Sequence, residues 1–214
     1  MAKLKFGLWD GFEAQEIASA PTPVDVYDRH ISEVQMAEEL GYEYYFIIEH
    51  QNTPIGHITS PSVYLSAVAQ RTSKIRLGTM VNLLPYHSPI RLAQDAAMLD
   101  QLSRGRLEFG TGRGGSEHEF RRWGLPFHDR TGMAHEALEI IIKAWTEDTV
   151  SHDGEFWKLE DALPVPKPYQ KPHPPIWIAC HSPETIEYAA RNNYNAAQNL
   201  DIDSVIAEKF ELYR

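Results

Sequence analysis

The chain has 214 residues, of which 43% are hydrophobic, and its 20 basic and 30 acidic side chains give a formal net charge of −10. This length and apolar content can bury a substantial core, most simply as one domain. The negative charge repels nucleic acid and anionic membrane surfaces, so neither is expected as a partner. The single Cys180 cannot form an internal disulfide, and no apolar run is long enough for a membrane span or resembles a secretory signal. We therefore expect a cytoplasmic protein.

The hydrophobic pattern predicts strands and helices in alternation. In chain order, a strand is expected at 4–9, a helix at 24–40, a strand at 44–48, a helix at 61–69, a strand at 75–84, a helix at 89–102, a strand at 106–111, a helix at 133–145, a strand at 176–180, a helix at 183–192 and a strand at 196–200. A polar segment that ends in the proline-rich residues 163–175 is expected to be extended surface chain. Such alternation predicts a parallel sheet with helices outside it, as a doubly wound sheet or a barrel.

In both folds the chemistry lies at the carboxyl ends of the strands. Polar residues follow several of the predicted strands, and these are Asp10, Glu49, His50, Gln51, Asn82, Arg113, His181 and Ser182. A metal site is not expected there. Barrel hydrolases that bind metal commonly carry a His-x-His pair after the first strand, and here that strand ends in Trp9 and Asp10.

The predicted strand at 106–111 runs into a glycine-rich turn that carries Arg113 at its tip. Glycines let the backbone approach a bulky anion, and a guanidinium group can bind phosphate oxygens in pairs. The turn also fits G-x-G-x-x-G, the pattern of dinucleotide-binding folds. The short, charged sequence that follows argues against a dinucleotide site, whereas an ordinary strand-to-helix turn stays an alternative.

A second phosphate-binding element is predicted at Ser182. Serine at the N-cap and Pro183 at the first helical position are typical of a helix start, whose free amide groups and partial positive charge attract anions. Because the preceding strand is expected to lie beside the strand that leads to Arg113, both could reach one phosphate. The alternative is that Ser182 is only a helix cap.

The ordered series of motifs resembles the bacterial luciferase-like flavin monooxygenases. The matching sequence includes GTMVNLLP at 78–85, the spacing of His87, Pro89, Arg91, Ala93 and Asp95, and LDQLSRGRLEFGTGRG at 99–114. Glu49 and His50 after the second strand match too, as do Ser182 and Thr185 after the fifth. The resemblance covers nearly the whole chain. It implies a TIM-type (β/α)8 barrel that binds reduced FMN, which reacts with O₂ to give a C4a-peroxyflavin that oxygenates a small organic substrate.

The resemblance also implies roles for individual residues. Arg113 matches the phosphate-binding arginine, and Ser182 and Thr185 match the phosphate contacts at the helix start. His50 matches a catalytic histidine beside the flavin, where an imidazole can exchange protons near neutral pH.

Residues 80–82 match the backbone segment behind the isoalloxazine ring, so Met80, Val81 and Asn82 are predicted cofactor contacts and the Met80–Val81 bond is a predicted cis peptide. Two positions depart from luciferase: Gln51 replaces its second histidine, and Gly112 replaces its reactive cysteine. Light emission is therefore not implied.

The favoured function is an oxygenase that receives reduced FMN from a separate flavin reductase, because no NAD(P)H-binding half is recognisable in the chain. A homodimer or heterodimer is expected. The alternatives are a hydride-transferring oxidoreductase of the same fold that uses F420, and a non-catalytic flavin-binding protein or subunit.

Only six βα units can be counted, whereas a closed barrel of this type has eight strands. We therefore expect residues 1–214 to be a single luciferase-like barrel domain that lacks its C-terminal βα units. The sheet would then be completed by further units of a longer protein or by a partner chain.

Overall fold

The computed structural model describes residues 4–54, 57–198 and 201–214. Within them the strands are β1 (Gly7–Asp10), β2 (Tyr44–Ile47), β3 (Arg76–Thr79), β4 (Asn82–Leu83), β5 (Leu107–Gly112), β6 (Val150–Asp153), β7 (Lys158–Ala162), β8 (Ile176–Ala179) and β9 (Asn195–Ala197). The α-helices are α1 (Ala14–Ser19), α2 (Pro23–Glu39), α3 (Pro61–Ala69), α4 (Pro89–Ser103), α5 (Glu117–Trp123), α6 (Arg130–Thr146), α7 (Pro183–Arg191) and α8 (Asp203–Tyr213). Short 3-10 helices lie at Leu84–Tyr86 and Phe127–Asp129.

The main sheet is parallel throughout, with its strands in the order β1-β2-β3-β5-β8-β9 and with β4 paired to β5. It curls into a half-barrel with β1 and β9 at its two edges. This confirms the predicted TIM-type α/β fold with about six visible βα units. The strands that precede Arg113 and Ser182 are neighbours, as expected, because β5 pairs with β8. That further units or a partner chain complete the barrel stays a prediction.

Several segments differ from the prediction. The strand expected at 75–84 is two strands, β3 and β4, separated by Met80 and Val81. The polar segment after α6 is not wholly extended chain, because β6 and β7 form an antiparallel hairpin with a register shift between Val150 and His152. Helix α1 was not predicted; it is short, and none of its residues is fully buried. The last predicted strand begins one residue earlier, at Asn195, and its expected end at Leu200 lies outside the described residues.

Local hydrogen bonds stabilise the start of helix α2. The Asp25 carboxylate accepts hydrogen bonds from the backbone N–H and the hydroxyl of Thr22, at 2.8 and 2.7 Å, and Pro23 occupies the first turn. These contacts satisfy donors that a helix start otherwise leaves free. No helix in the described residues has both the length and the apolar character needed to cross a bilayer.

The two faces of the sheet bury different side chains. On the outer face, Phe109 packs edge-on against Trp145 of α6 with ring centroids 4.9 Å apart. On the inner face, Phe46 of β2 and Trp177 of β8 meet edge-on at 5.3 Å, and the indole N–H of Trp177 donates to Glu108 at 2.6 Å. The inner aromatic pair closes the space beneath the carboxyl ends of the strands.

Gly110 is required by the close approach of β5 and the end of β3. A Cβ on Gly110 would lie 1.8 Å from the carbonyl oxygen of Thr79, far inside contact distance. The Thr79 hydroxyl bridges the two strands: it donates to the Gly110 carbonyl at 2.8 Å and accepts from the Gly110 N–H at 2.9 Å. The glycine at position 110 is therefore explained by the close packing of two strands.

We predict that Gly110→Ala lowers the free energy of unfolding by about 3 kcal/mol, the upper range for forcing an extra methyl group into packed structure. Gly115→Ala is the matched control, because a Cβ there meets no atom within 4 Å. Urea unfolding of both variants measures the difference. Equal stability of the two variants would contradict the close approach of the strands.

Candidate functional site

A cavity of about 720 Å³ lies at the carboxyl ends of the strands. Phe46 and Trp177 form part of its wall, and Phe210 of α8 lies on another side. The described residues that line it are Trp9, Phe46, Ile48, Glu49, His50, Met80, Val81, Leu83, Gly115, Ser116, Glu119, Trp177, Ala179, His181, Ala196, Ala197, Gln198, Ile206 and Phe210. A largely apolar cavity with a few polar groups is the usual form of a cofactor or substrate site.

His50 faces this cavity from the end of β2. Its side chain is 30% exposed, and its Nδ1 lies 3.2 Å from Oε1 of the buried Glu119 on α5. Among the described residues, no side chain or backbone group forms a hydrogen bond with the other ring nitrogen, Nε2. The predicted catalytic residue is therefore in the cavity wall, with one nitrogen anchored and one available.

Glu49 is a buried carboxylate, only 1% exposed, that connects three segments. It accepts a hydrogen bond from the Leu83 backbone N–H of β4 at 2.8 Å and from the Gln51 amide at 2.6 Å. His87 Nε2 lies 2.9 Å from the same carboxylate. Glu49 therefore fixes the end of β2 to β4 and to the start of the following helical segment.

The charge of Glu49 controls the protonation of His87. Burial by itself would lower the pKa of His87, but the hydrogen bond and the charge of Glu49 outweigh it and raise the pKa above its ordinary value. A protonated His87 compensates the buried carboxylate, which would be costly to leave unpaired.

A smaller cavity of about 320 Å³ adjoins the first one. The residues common to both linings are Val81, Leu83, Gly115, Ala179 and His181. The residues that line only the smaller cavity are Gly112, Arg113, Gly114, Arg130 and Thr185. Together the two cavities can take an elongated ligand with an apolar end and an anionic end.

Two arginines line the smaller cavity. Arg113, in the glycine-rich turn, donates from Nη1 to the Thr131 hydroxyl at 2.9 Å. Arg130, at the start of α6, lies over the Phe127 ring at 4.0 Å and donates to the Phe127 carbonyl at 2.9 Å. The Nε atom of Arg130 is buried with no hydrogen-bond partner among the described residues. Two neighbouring guanidinium groups are a donor set that can bind an anion.

The start of α7 lies beside these arginines. Thr185 lines the smaller cavity, and its hydroxyl donates to the Ser182 carbonyl at 2.8 Å. The hydrogen bond to the Ser182 side chain and, as a smaller effect, the charge of Arg113 hold the pKa of Glu184 below its ordinary value. Ser182 is not among the lining residues, so the structure brings Arg113 and Thr185 to the cavity and leaves Ser182 at the helix cap.

The segment between β3 and β4 is part of the cavity wall. Met80 and Val81 line the larger cavity, and the peptide bond between them is cis, as the resemblance implied. Asn82 is not a lining residue: its amide is buried and donates to the Thr79 hydroxyl at 2.9 Å and to the Gly110 carbonyl at 3.3 Å. Its contacts therefore hold β3 and β5 together behind the cavity wall.

Arg130 and Glu119 were not identified from the sequence. Arg130 is the first residue of α6, far from any predicted strand end, and nothing in its local sequence distinguishes it from a surface arginine. Glu119 was hidden in a short, highly charged stretch. A rule that considers only residues directly after strands misses side chains that loops and short helices bring back to the site.

Comparison with known proteins identifies the family. Residues 4–214 match the sequence model of the luciferase-like monooxygenases. The chain belongs to this family. It is 32% identical, over 194 residues, to the oxygenase component of the flavin-dependent trigonelline monooxygenase of Acinetobacter baylyi, a match that covers 90% of this chain and 53% of that protein. The structure superimposes on monooxygenase RslO1 of Streptomyces bottropensis with a TM-score of 0.92 and 28% identity, covering 99% of this chain and 65% of that one.

The fold is shared more widely than the chemistry. The F420-dependent tetrahydromethanopterin reductase of Methanopyrus kandleri superimposes with a TM-score of 0.75 at 24% identity, covering 99% of this chain and 61% of that one, a likeness that shows the fold alone. The chain spans about half the length of the trigonelline monooxygenase component and about two thirds of the two structures.

The His87–Glu49 pair predicts a pH-dependent contribution to stability. Because the pKa of His87 is raised in the folded protein, this contribution is complete below about pH 6.5, the pKa of an unfolded histidine, and is lost as the pH rises through the higher folded value. The difference in unfolding free energy between the wild type and His87→Gln should therefore shrink as the pH rises.

Urea unfolding of both proteins at a series of pH values measures this difference. The control is His128→Gln, because His128 is exposed. A difference that does not change with pH would contradict the role of the pair.

Proposed function

We propose that the chain binds reduced FMN, with the phosphate between Arg113 and Arg130 and the flavin ring in the larger cavity. We further propose that it acts as a flavin-dependent monooxygenase on a small organic substrate. The observation that carries this proposal is the junction of an apolar cavity with an arginine-lined one. The family membership supports the same assignment.

The chemistry of the donors fits this cofactor. A phosphate monoester carries nearly two negative charges at neutral pH, and two guanidinium groups beside a helix start can balance them. The Nε atom of Arg130 is buried and has no partner among the described residues, which gives an independent reason to expect an anion there, since buried donors are normally paired. Val81 lines both cavities, so it lies where the sugar-like chain of the cofactor would join the ring.

Reduced FMN supplies the electrons with which such enzymes activate O₂. Different residues of this chain then contribute to the reaction in different ways. The apolar wall with Met80 and Trp177 excludes water, which strengthens electrostatic interactions inside the site. His50 exchanges a proton with the reacting groups through its free Nε2.

We also propose that a separate flavin reductase supplies the reduced FMN and that the chain forms a homodimer or a heterodimer. The name of the Acinetobacter baylyi relative, an oxygenase component, supports the separate reductase. An F420-dependent hydride transferase is the second candidate, favoured by the fold shared with the Methanopyrus kandleri reductase. The two arginines fit the phosphate monoester of FMN, which carries nearly two negative charges.

The direct test is an anaerobic titration with reduced FMN and, in parallel, with reduced F420, followed by addition of O₂ and a panel of organic compounds. We expect reduced FMN to bind more tightly than reduced F420. We also expect one oxygen atom to be incorporated into a product, which mass spectrometry would detect. Preference for F420 would favour the hydride transferase. Flavin binding without any product would favour a non-catalytic flavin protein.

We predict that Arg113→Ala weakens the binding of reduced FMN by about 2 kcal/mol, or roughly 30-fold in Kd, because a charge-assisted contact is lost. Reduced riboflavin lacks the phosphate, so its affinity should not change. Arg91→Ala, on the exposed side of α4, is the matched control. An unchanged Kd for reduced FMN in Arg113→Ala would show that the phosphate lies elsewhere.

We predict that His50→Ala lowers substrate oxidation roughly a hundredfold, the usual effect of removing a general acid or base. The affinity for reduced FMN should stay nearly constant, because the phosphate site is at the other end of the cavity. His118→Ala provides the control, since His118 is exposed on α5. Full turnover in His50→Ala would exclude His50 from the reaction.

A further inference from the structure

The carboxylate of Glu119 has a defined partner in the site. Glu119 is 5% exposed, and its Oε1 lies 3.2 Å from Nδ1 of His50. Both residues line the larger cavity, although His50 lies in the segment after β2 and Glu119 lies in α5. Burial of a charged carboxylate costs free energy unless the carboxylate has a partner, and His50 is the partner of Glu119.

Glu49, the neighbour of His50 in sequence, is engaged with other groups. Its carboxylate oxygens already accept from Gln51 and from the backbone N–H of Leu83, and they also contact His87. His50 therefore depends on Glu119, and its Nδ1 forms no other hydrogen bond among the described residues.

Helix α5 holds Glu119 in place through its neighbour Phe120. Phe120 is fully buried and packs edge-on against Tyr86 and Phe127, with ring centroids 4.9 and 5.3 Å away. Ser116 caps the helix by accepting from the Glu119 backbone N–H at 3.3 Å. The position of the carboxylate is thus fixed by packing on one side of the helix and by a cap at its start.

We propose that Glu119 is a positioning residue that selects the tautomer of His50. An ionised carboxylate only accepts hydrogen bonds, so it holds the proton of the neutral imidazole on Nδ1. The lone pair is then on Nε2, which has no hydrogen-bond partner among the described residues and can accept a proton. The same carboxylate fixes the ring plane, as carboxylates do for histidines in other catalytic sites.

The catalytic part of this inference rests on the proposed function, whereas the tautomer does not. Glu119→Gln is the sharpest change, because glutamine has the same shape but can donate as well as accept, so it no longer forces the proton onto Nδ1. Glu117→Gln, an exposed position on the same helix, is the matched control. Glu119→Asp keeps a carboxylate and tests for recovery.

The first measurement is the ¹⁵N chemical shifts of the His50 ring at a pH where the imidazole is neutral, without flavin. The wild type and Glu117→Gln should show the proton on Nδ1, and Glu119→Gln should show a mixture of tautomers. Glu119→Asp should recover the Nδ1 tautomer at least partly. The same tautomer in the wild type and in Glu119→Gln would overturn the inference.

The second measurement is turnover with reduced FMN and O₂. Glu119→Gln should lower kcat roughly tenfold to a hundredfold, the usual effect of removing a group that orients a catalytic ligand, while the Kd for reduced FMN stays within about twofold. An altered tautomer with unchanged kcat, or a loss that appears in Kd alone, would overturn the positioning role. A wild type that forms no product but keeps the Nδ1 tautomer would instead contradict the proposed function.

Discussion

The buried carboxylate of Glu49 is the contact on which the site depends. It joins the end of β2 to the backbone of β4 and to His87, so three segments that are distant in sequence share one charge. The buried N–H of Leu83 donates to this carboxylate, so removal of the carboxylate would take an acceptor away from a donor of β4 inside the protein. Since Met80 and Val81 immediately precede β4 and His50 immediately follows Glu49, the same contact sets the distance between the cavity wall and the proposed catalytic histidine.

The charges of the site are separated along its length. Two carboxylates, Glu49 and Glu119, lie at the His50 end, each against a histidine. Arg113 and Arg130 lie at the other end, where β5 and the start of α6 meet. This charge distribution favours one orientation of a ligand with one anionic end, because the arginines attract that end. The proposed cofactor would then be oriented by the charges of the whole site rather than by any single contact.

The sequence was sufficient for the parts that follow local rules. Six of the seven strands of the sheet and the longer helices between them follow from hydrophobic periodicity. The neighbouring positions of Arg113 and the start of α7 follow from parallel-sheet topology. It was not sufficient for features that depend on distant partners. The break between β3 and β4 depends on the close approach of the Thr79 carbonyl to Gly110. The hairpin after α6 lacks a strong apolar pattern. Arg130 and Glu119 reach the site from segments outside the strand ends. Asn82 follows a strand as predicted, yet its amide points into the strand contacts because Thr79 and Gly110 offer it partners there.

The central claim is that one elongated cofactor occupies both cavities, and a crystal structure of the protein with bound FMN tests it most directly. The account predicts that the phosphorus atom lies between the guanidinium groups of Arg113 and Arg130, with the ring against Met80 and Val81 and within reach of His50. A phosphate bound outside the Arg113 pocket, or a ring outside the larger cavity, would contradict it.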